Sequence, residues 1–139
     1  MTLKDEDQLR CERECTRLCH DFAWMVDHLD YDGFVGLFAP EGVFERGGQR
    51  SEGQQAIRAF LDARPSGRTT RHLCGNVRID MTGANSATGH CLALMYAGAG
   101  ADVPLQVSAP LVVDYADDYV LTAGGWKFLH RRTDVIFQP

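Results

Sequence analysis

The chain has no hydrophobic run approaching the length of a membrane span, and no basic stripe. Lys and Arg number 14 against 19 Asp and Glu, for a formal charge of −5. Neither nucleic acid nor a membrane is therefore expected as a partner. The opening MTLKDEDQLR is too charged for a signal peptide, which makes a cytoplasmic location the default expectation. Repeats, low-complexity segments and linkers are also lacking. Gly98-Ala99-Gly100 has the look of a nucleotide-binding fragment, but no helical pattern follows it, so it reads as a turn. There is no CxxC. The five cysteines are an odd number, and Cys11, Cys15 and Cys19 form an i, i+4, i+8 ladder, not the tight loop that metal and cluster sites favour. Helical Cβ atoms four apart lie about 5–6 Å from one another, and a disulfide needs about 3.5–4.5 Å. No metal, no cofactor and no disulfide in that helix are expected, and a reducing compartment fits all five thiols. What remains is an ordinary globular composition, 45% hydrophobic and 24% charged in 139 residues, the size of one domain spanning 1–139.

The chain is organised around Cys19 to Pro40. Its first part ends a long amphipathic helix predicted over residues 5–30. At about 100° per residue, Cys11, Cys15, Leu18, Phe22, Met25, Val26 and Leu29 form one apolar stripe. Asp30 falls roughly 80° from its centre, at the margin, while Asp27 falls roughly 140° away and is expected in water. A second helix is predicted at 34–38, a short strand at 42–45 and a turn at 46–49. Ser51-Glu52-Gly53-Gln54 resembles a capping box opening a third helix. After Gly67 the pattern alternates. In the strand 68–80, Thr70, His72, Cys74, Asn76 and Arg78 share one face, and Leu73, Val77 and Ile79 the other. Strands at 87–96, 103–121 and 126–137 follow, the last two joined by a turn at Gly124-Gly125. Helices followed by antiparallel hairpins make an α+β fold. Leu105, Val107, Leu111 and Val113 alternate along the third of these strands. They point to an apolar outer face and a homo-oligomer, a dimer or trimer.

LDYDGFVGLFAPEGVF, TTRHLCGNVRID, SATGHCLALMY and GGWKFLHRR, in this order, resemble the SnoaL-like branch of the nuclear-transport-factor-2-like superfamily over nearly the whole length. The resemblance implies a cone-like α+β barrel, three N-terminal helices held in a strongly curved, mostly antiparallel sheet. It also implies a small hydrophobic, cyclic substrate and cofactor-free chemistry of the kind seen in scytalone dehydratase, lindane dehydrochlorinase and polyketide cyclases. In the dehydratase and dehydrochlorinase members an aspartate at the end of the first helix orients a histidine on the first long strand. Those positions match Asp30 and His72 here.

Asp30 and His72 are accordingly expected to meet in the pocket as a catalytic pair, within about 4 Å. Tyr31, Asn76, His90 and Tyr96 are candidate substrate-binding residues. Tyr31 and Tyr96 carry phenolic donors, Asn76 shares the face of His72, and His90 lies one residue from the position of a second family histidine. The expected function is a lyase or isomerase of the dehydratase or cyclase type. Its alternative is a non-catalytic small-molecule-binding module or accessory subunit.

Overall fold

The computed structural model describes residues 2–139. The first helix, α1 (Leu3–Asp27), opens on a capping box in which Thr2 and Asp5 exchange hydrogen bonds between side chain and backbone. Cys11, Cys15, Leu18, Cys19, Phe22 and Val26 are buried along it, so the predicted stripe is its core face. Leu29 leaves that stripe. It takes a left-handed φ of 59° and is 66% exposed. Around it the Asp30 amide donates to the Met25 carbonyl at 2.9 Å, and the Leu29 amide to that of Val26 at 3.4 Å. These two bonds form a Schellman stop, and the helix ends three residues earlier than predicted.

A five-residue helix α2 (Tyr31–Val35) follows. The strand β1 (Phe38–Arg46) then turns at Gly47-Gly48 into β2 (Gln49–Glu52). Ser51 lies in that strand opposite Phe44, so the expected capping box does not form. Helix α3 (Gln54–Asp62) starts from Gly53 with no side-chain cap. Four long strands complete the chain: β3 (Arg68–Gly83), β4 (Ser86–Ala99), β5 (Leu111–Thr122) and β6 (Gly125–Phe137).

The six strands lie in the order β2-β1-β6-β5-β4-β3. All neighbours are antiparallel except β1 and β6. The sheet is curved and does not close, and it wraps α1, giving the cone-like α+β fold that the sequence predicts. Phe22, Phe34, Phe38, Phe44 and Phe128 pack against one another at ring-centroid distances of 4.4 to 6.1 Å. No helix among the described residues is long and apolar enough to cross a membrane. All five cysteines are free.

Two departures alter which residues face the interior. In β3 the register slips between Gly75 and Arg78, and Asn76 adopts a φ of 51°. This bulge reverses the strand's parity. Thr70, His72 and Cys74 face inward before it, and Val77, Ile79 and Met81 pack on the core after it. Residues 100–110, where Pro104 and Pro110 interrupt the pattern, form no regular strand. Val113 is buried, so the alternation predicted to lie outward is out of phase there. Register instead aligns Leu73, Leu94, Val112 and Phe137 in one row across four strands. Leu73 and Phe137 in that row are 69% and 67% exposed.

Candidate functional site

The histidine predicted from the sequence has a carboxylate partner, but it is Asp27 and not Asp30. Asp27 Oδ1 lies 2.6 Å from His72 Nδ1 and accepts from the Thr70 hydroxyl at 2.8 Å, while Oδ2 accepts from the His72 backbone amide at 2.7 Å. The two side chains are only 4% and 10% exposed. Burial pushes the carboxyl's pKa up. The hydrogen bonds from the His72 ring and amide, the His72 charge and the Thr70 hydroxyl outweigh it and hold Asp27 below the ordinary 3.8. An ionised carboxylate only accepts, so the imidazole carries its proton on Nδ1. Nε2 has no protein partner among the described residues, and His72 lines the interior pocket.

Asp30 is not the partner because α1 ends at Asp27 and helical periodicity no longer sets the direction of the residues beyond it. The left-handed Leu29 turns the chain, and Asp30 becomes the N-cap of α2, accepting from the Gly33 amide at 2.9 Å. A Cβ added at Gly33 would sit 2.5 Å from Asp30 Oδ2, so the glycine makes room for this cap. Asp27 is dry for the opposite reason. The wheel assumes one buried face, but β3 wraps the side of α1 at its C-terminal end and covers a second.

The interior pocket lies between α1, α3 and the inner sheet face. Phe22, Phe34, Phe44, Phe60 and Tyr115 give it apolar walls, and Arg46, Arg64, Arg68 and His72 supply its polar groups. It encloses about 390 Å³ counting its open mouth, but the part wide enough for a water molecule is only about 40 Å³. The other predicted binding residues are elsewhere. Tyr31 accepts from Arg64 Nη1 at 2.9 Å and belongs to a neighbouring surface groove. Asn76 is exposed at the bulge, His90 is exposed on β4, and Tyr96 faces outward opposite Arg71. The three arginines were not found from the sequence. Their local signal is weak, since each sits at or beside the end of an element.

A second polar cluster lies deeper and was also missed. Arg131 is fully buried and pairs with Asp117 through Nε at 2.9 Å and Nη2 at 3.3 Å. Its guanidinium carbon lies 3.7, 4.3 and 4.6 Å from the ring centroids of Tyr115, Phe22 and Phe128. Burial works against its charge, but Asp117 chiefly, with Cys19, Cys91 and Tyr115, raises its proton affinity further. Cys19, Cys91 and Asp117 stand close enough together to hold a metal ion. The guanidinium already supplies the cation there, with Nη2 3.1 Å from Cys91 Sγ and 3.6 Å from Cys19 Sγ.

Several solved structures share the fold. A scytalone dehydratase-like protein from Novosphingobium aromaticivorans is 20% identical, with a TM-score of 0.82 over 96% of this chain and 89% of that one. A hexachlorocyclohexane dehydrochlorinase from Novosphingobium barchaimii is 17% identical, with a TM-score of 0.82 over 96% and 91%. ActVI-ORFA from Streptomyces coelicolor is 18% identical, with a TM-score of 0.76 over 88% and 95%. No curated protein matches the chain. Residues 7–132 match the SnoaL-like domain, and with the helix-filled curved sheet this settles the assignment: the chain belongs to the SnoaL-like domain family, within the nuclear-transport-factor-2-like fold.

Proposed function

We propose that the protein is a cofactor-independent lyase or isomerase acting on a hydrophobic, cyclic small molecule, with His72 as the general base and Asp27 as its positioning partner. The observation that carries the reading is the short Asp27–His72 bond, which leaves Nε2 without a protein partner on a side chain that lines the interior pocket. In the proposed step Nε2 takes a proton from a carbon beside an electron-withdrawing group. The C–H electron pair forms a double bond and either expels a leaving group, as in elimination, or is reprotonated elsewhere, as in isomerisation. Asp27 holds the Nδ1–H tautomer and stabilises the imidazolium. The electrons balance with imidazole alone. The dehydratase and dehydrochlorinase names of the structural neighbours agree with this chemistry.

The test needs no knowledge of the true substrate. In deuterium oxide, the protein is expected to catalyse exchange at the α-carbon of members of a panel of small cyclic ketones, read by mass spectrometry. If panel members bind and raise the melting temperature but none exchanges, the non-catalytic binding module is the correct reading.

We also infer that copies associate through the outer sheet face, along the row Leu73, Leu94, Val112 and Phe137. Light scattering at micromolar concentration is expected to give an oligomer, and Leu94→Asp to give monomers. A wild-type monomer would refute this. A reducing, cytoplasmic setting is proposed on the five free thiols.

A further inference from the structure

We propose that the ligand of this pocket is an organic anion: an apolar, ring-sized body among the phenylalanines and an oxyanion head, a carboxylate or phosphate, held by Arg46, Arg64 and Arg68. The inference rests on the pocket being the substrate site and adds the charge of the substrate to that reading.

Three arginines line the pocket and no aspartate or glutamate does. Among the described residues none of the three forms an ion pair; the arginines that do are Arg10, Arg17, Arg50, Arg58 and Arg131. Arg64 donates only to the Tyr31 hydroxyl and the Val26 carbonyl. Burial, and then the charges of Arg64 and Arg46, pull the proton affinity of Arg68 below its ordinary value, so the three positive heads sense one another. Like charges gathered without a counterion cost stability. In a chain of net charge −5, this local surplus does not come from overall composition.

The orphaned polar atoms point the same way. The buried side-chain atoms without a hydrogen-bond partner among the described residues are Arg68 Nε, Arg131 Nη1 and Thr133 Oγ1. Arg68 lines the pocket. Thr133 is inward on β6 and is paired in register with Arg46 on one side and Tyr115 on the other, both lining residues. Arg131 packs on Tyr115 and Phe22, which also line it. All three atoms can donate, and buried donors are rarely left unmade. What this end of the cone lacks is an acceptor, and an oxyanion supplies several. Phe22, Phe34, Phe44 and Phe60 line the same pocket as the arginines and supply an apolar seat for the rest of the ligand, which must widen the pocket beyond its enclosed core to admit a ring.

The test compares benzoate, its neutral isostere benzamide and inorganic phosphate by calorimetric titration at constant ionic strength. Benzoate is expected to bind at least about tenfold more tightly than benzamide and than inorganic phosphate, and Arg46→Gln and Arg68→Gln each to weaken it about tenfold. Without ligand, Arg68→Gln is expected to raise the melting temperature by about 2 °C, because it removes an uncompensated charge. Benzamide equal to benzoate would overturn the anionic head, and phosphate equal to benzoate the apolar body. A melting temperature lowered by Arg68→Gln would overturn the claim that the charge lacks a partner. His72→Gln separates this inference from the catalytic reading. It is expected to retain benzoate binding, and proton transfer surviving in that variant would refute the base while leaving the anion site standing.

Discussion

His72→Gln lowers carbon-proton exchange by about 10²–10⁴-fold, the usual worth of a positioned general base, while ligand binding stays within a few-fold of wild type. Asp27→Asn is expected to cost nearly as much, for a reason visible in the hydrogen bonds. Asp27 accepts from the His72 amide on one oxygen and from the ring and Thr70 on the other. An asparagine keeps one acceptor and gains a donor. With its oxygen held by the backbone amide, its NH₂ faces Nδ1 and drives the imidazole proton to Nε2, where the base is needed bare. A loss in His72→Gln with full activity in Asp27→Asn would show that the aspartate has no part in orienting the ring. The same substitution has a pH signature in stability. Because the folded-state pKa of Asp27 is depressed, its contribution is present above about pH 4 and is lost as pH falls through the lower folded value. The wild type therefore loses more stability on acidification over that range than Asp27→Asn does.

The largest structural effect is expected at Arg131→Met. Removing the guanidinium leaves Asp117 buried with only the Tyr119 hydroxyl, at 3.0 Å, as a donor, and breaking a buried pair from one side costs about 3–5 kcal/mol. For a chain of this size that is a fall in melting temperature of roughly 10–15 °C. Replacing both partners, as Arg131→Met with Asp117→Leu, is expected to recover most of the loss, since the desolvation cost of both ions disappears with them. A double variant no more stable than Arg131→Met alone would mean that the stacking of the guanidinium on Tyr115, Phe22 and Phe128 is what matters, not the ion pair.

The residues that were legible in the sequence are those whose surroundings repeat. The core stripe of α1 from Cys11 to Val26 follows from helical period alone. The inward placement of Thr70 and His72 follows from strand parity. Parity holds for the eight residues from Arg68 to Gly75 and fails beyond them because Asn76 takes a left-handed bulge conformation, and nothing in the sequence marks the register slip. The end of α1 was missed because leucine occupies the left-handed position where glycine usually announces a stop. That one residue moved the carboxylate partner of His72 from Asp30 back to Asp27. The Asp117–Arg131 pair did leave a signal. Hairpin register counted from the turn, where Thr122 faces Gly125, narrows the partner of Asp117 to within one residue of Arg131, and the register shift between Asp118 and Tyr119 then sets the two opposite each other. The arginines of the pocket come from β1, the chain beyond α3 and the start of β3, and only the curvature of the sheet brings them together.

The central claim is that Asp27 fixes His72 as a base with a bare Nε2. Long-range nitrogen–proton correlation NMR on the ¹⁵N-labelled protein, at a pH where the imidazole is neutral, reads that state directly. The account predicts a proton on Nδ1 and none on Nε2 in the wild type, reversed in Asp27→Asn. A wild-type imidazole protonated on Nε2, with Nδ1 bare, would contradict it.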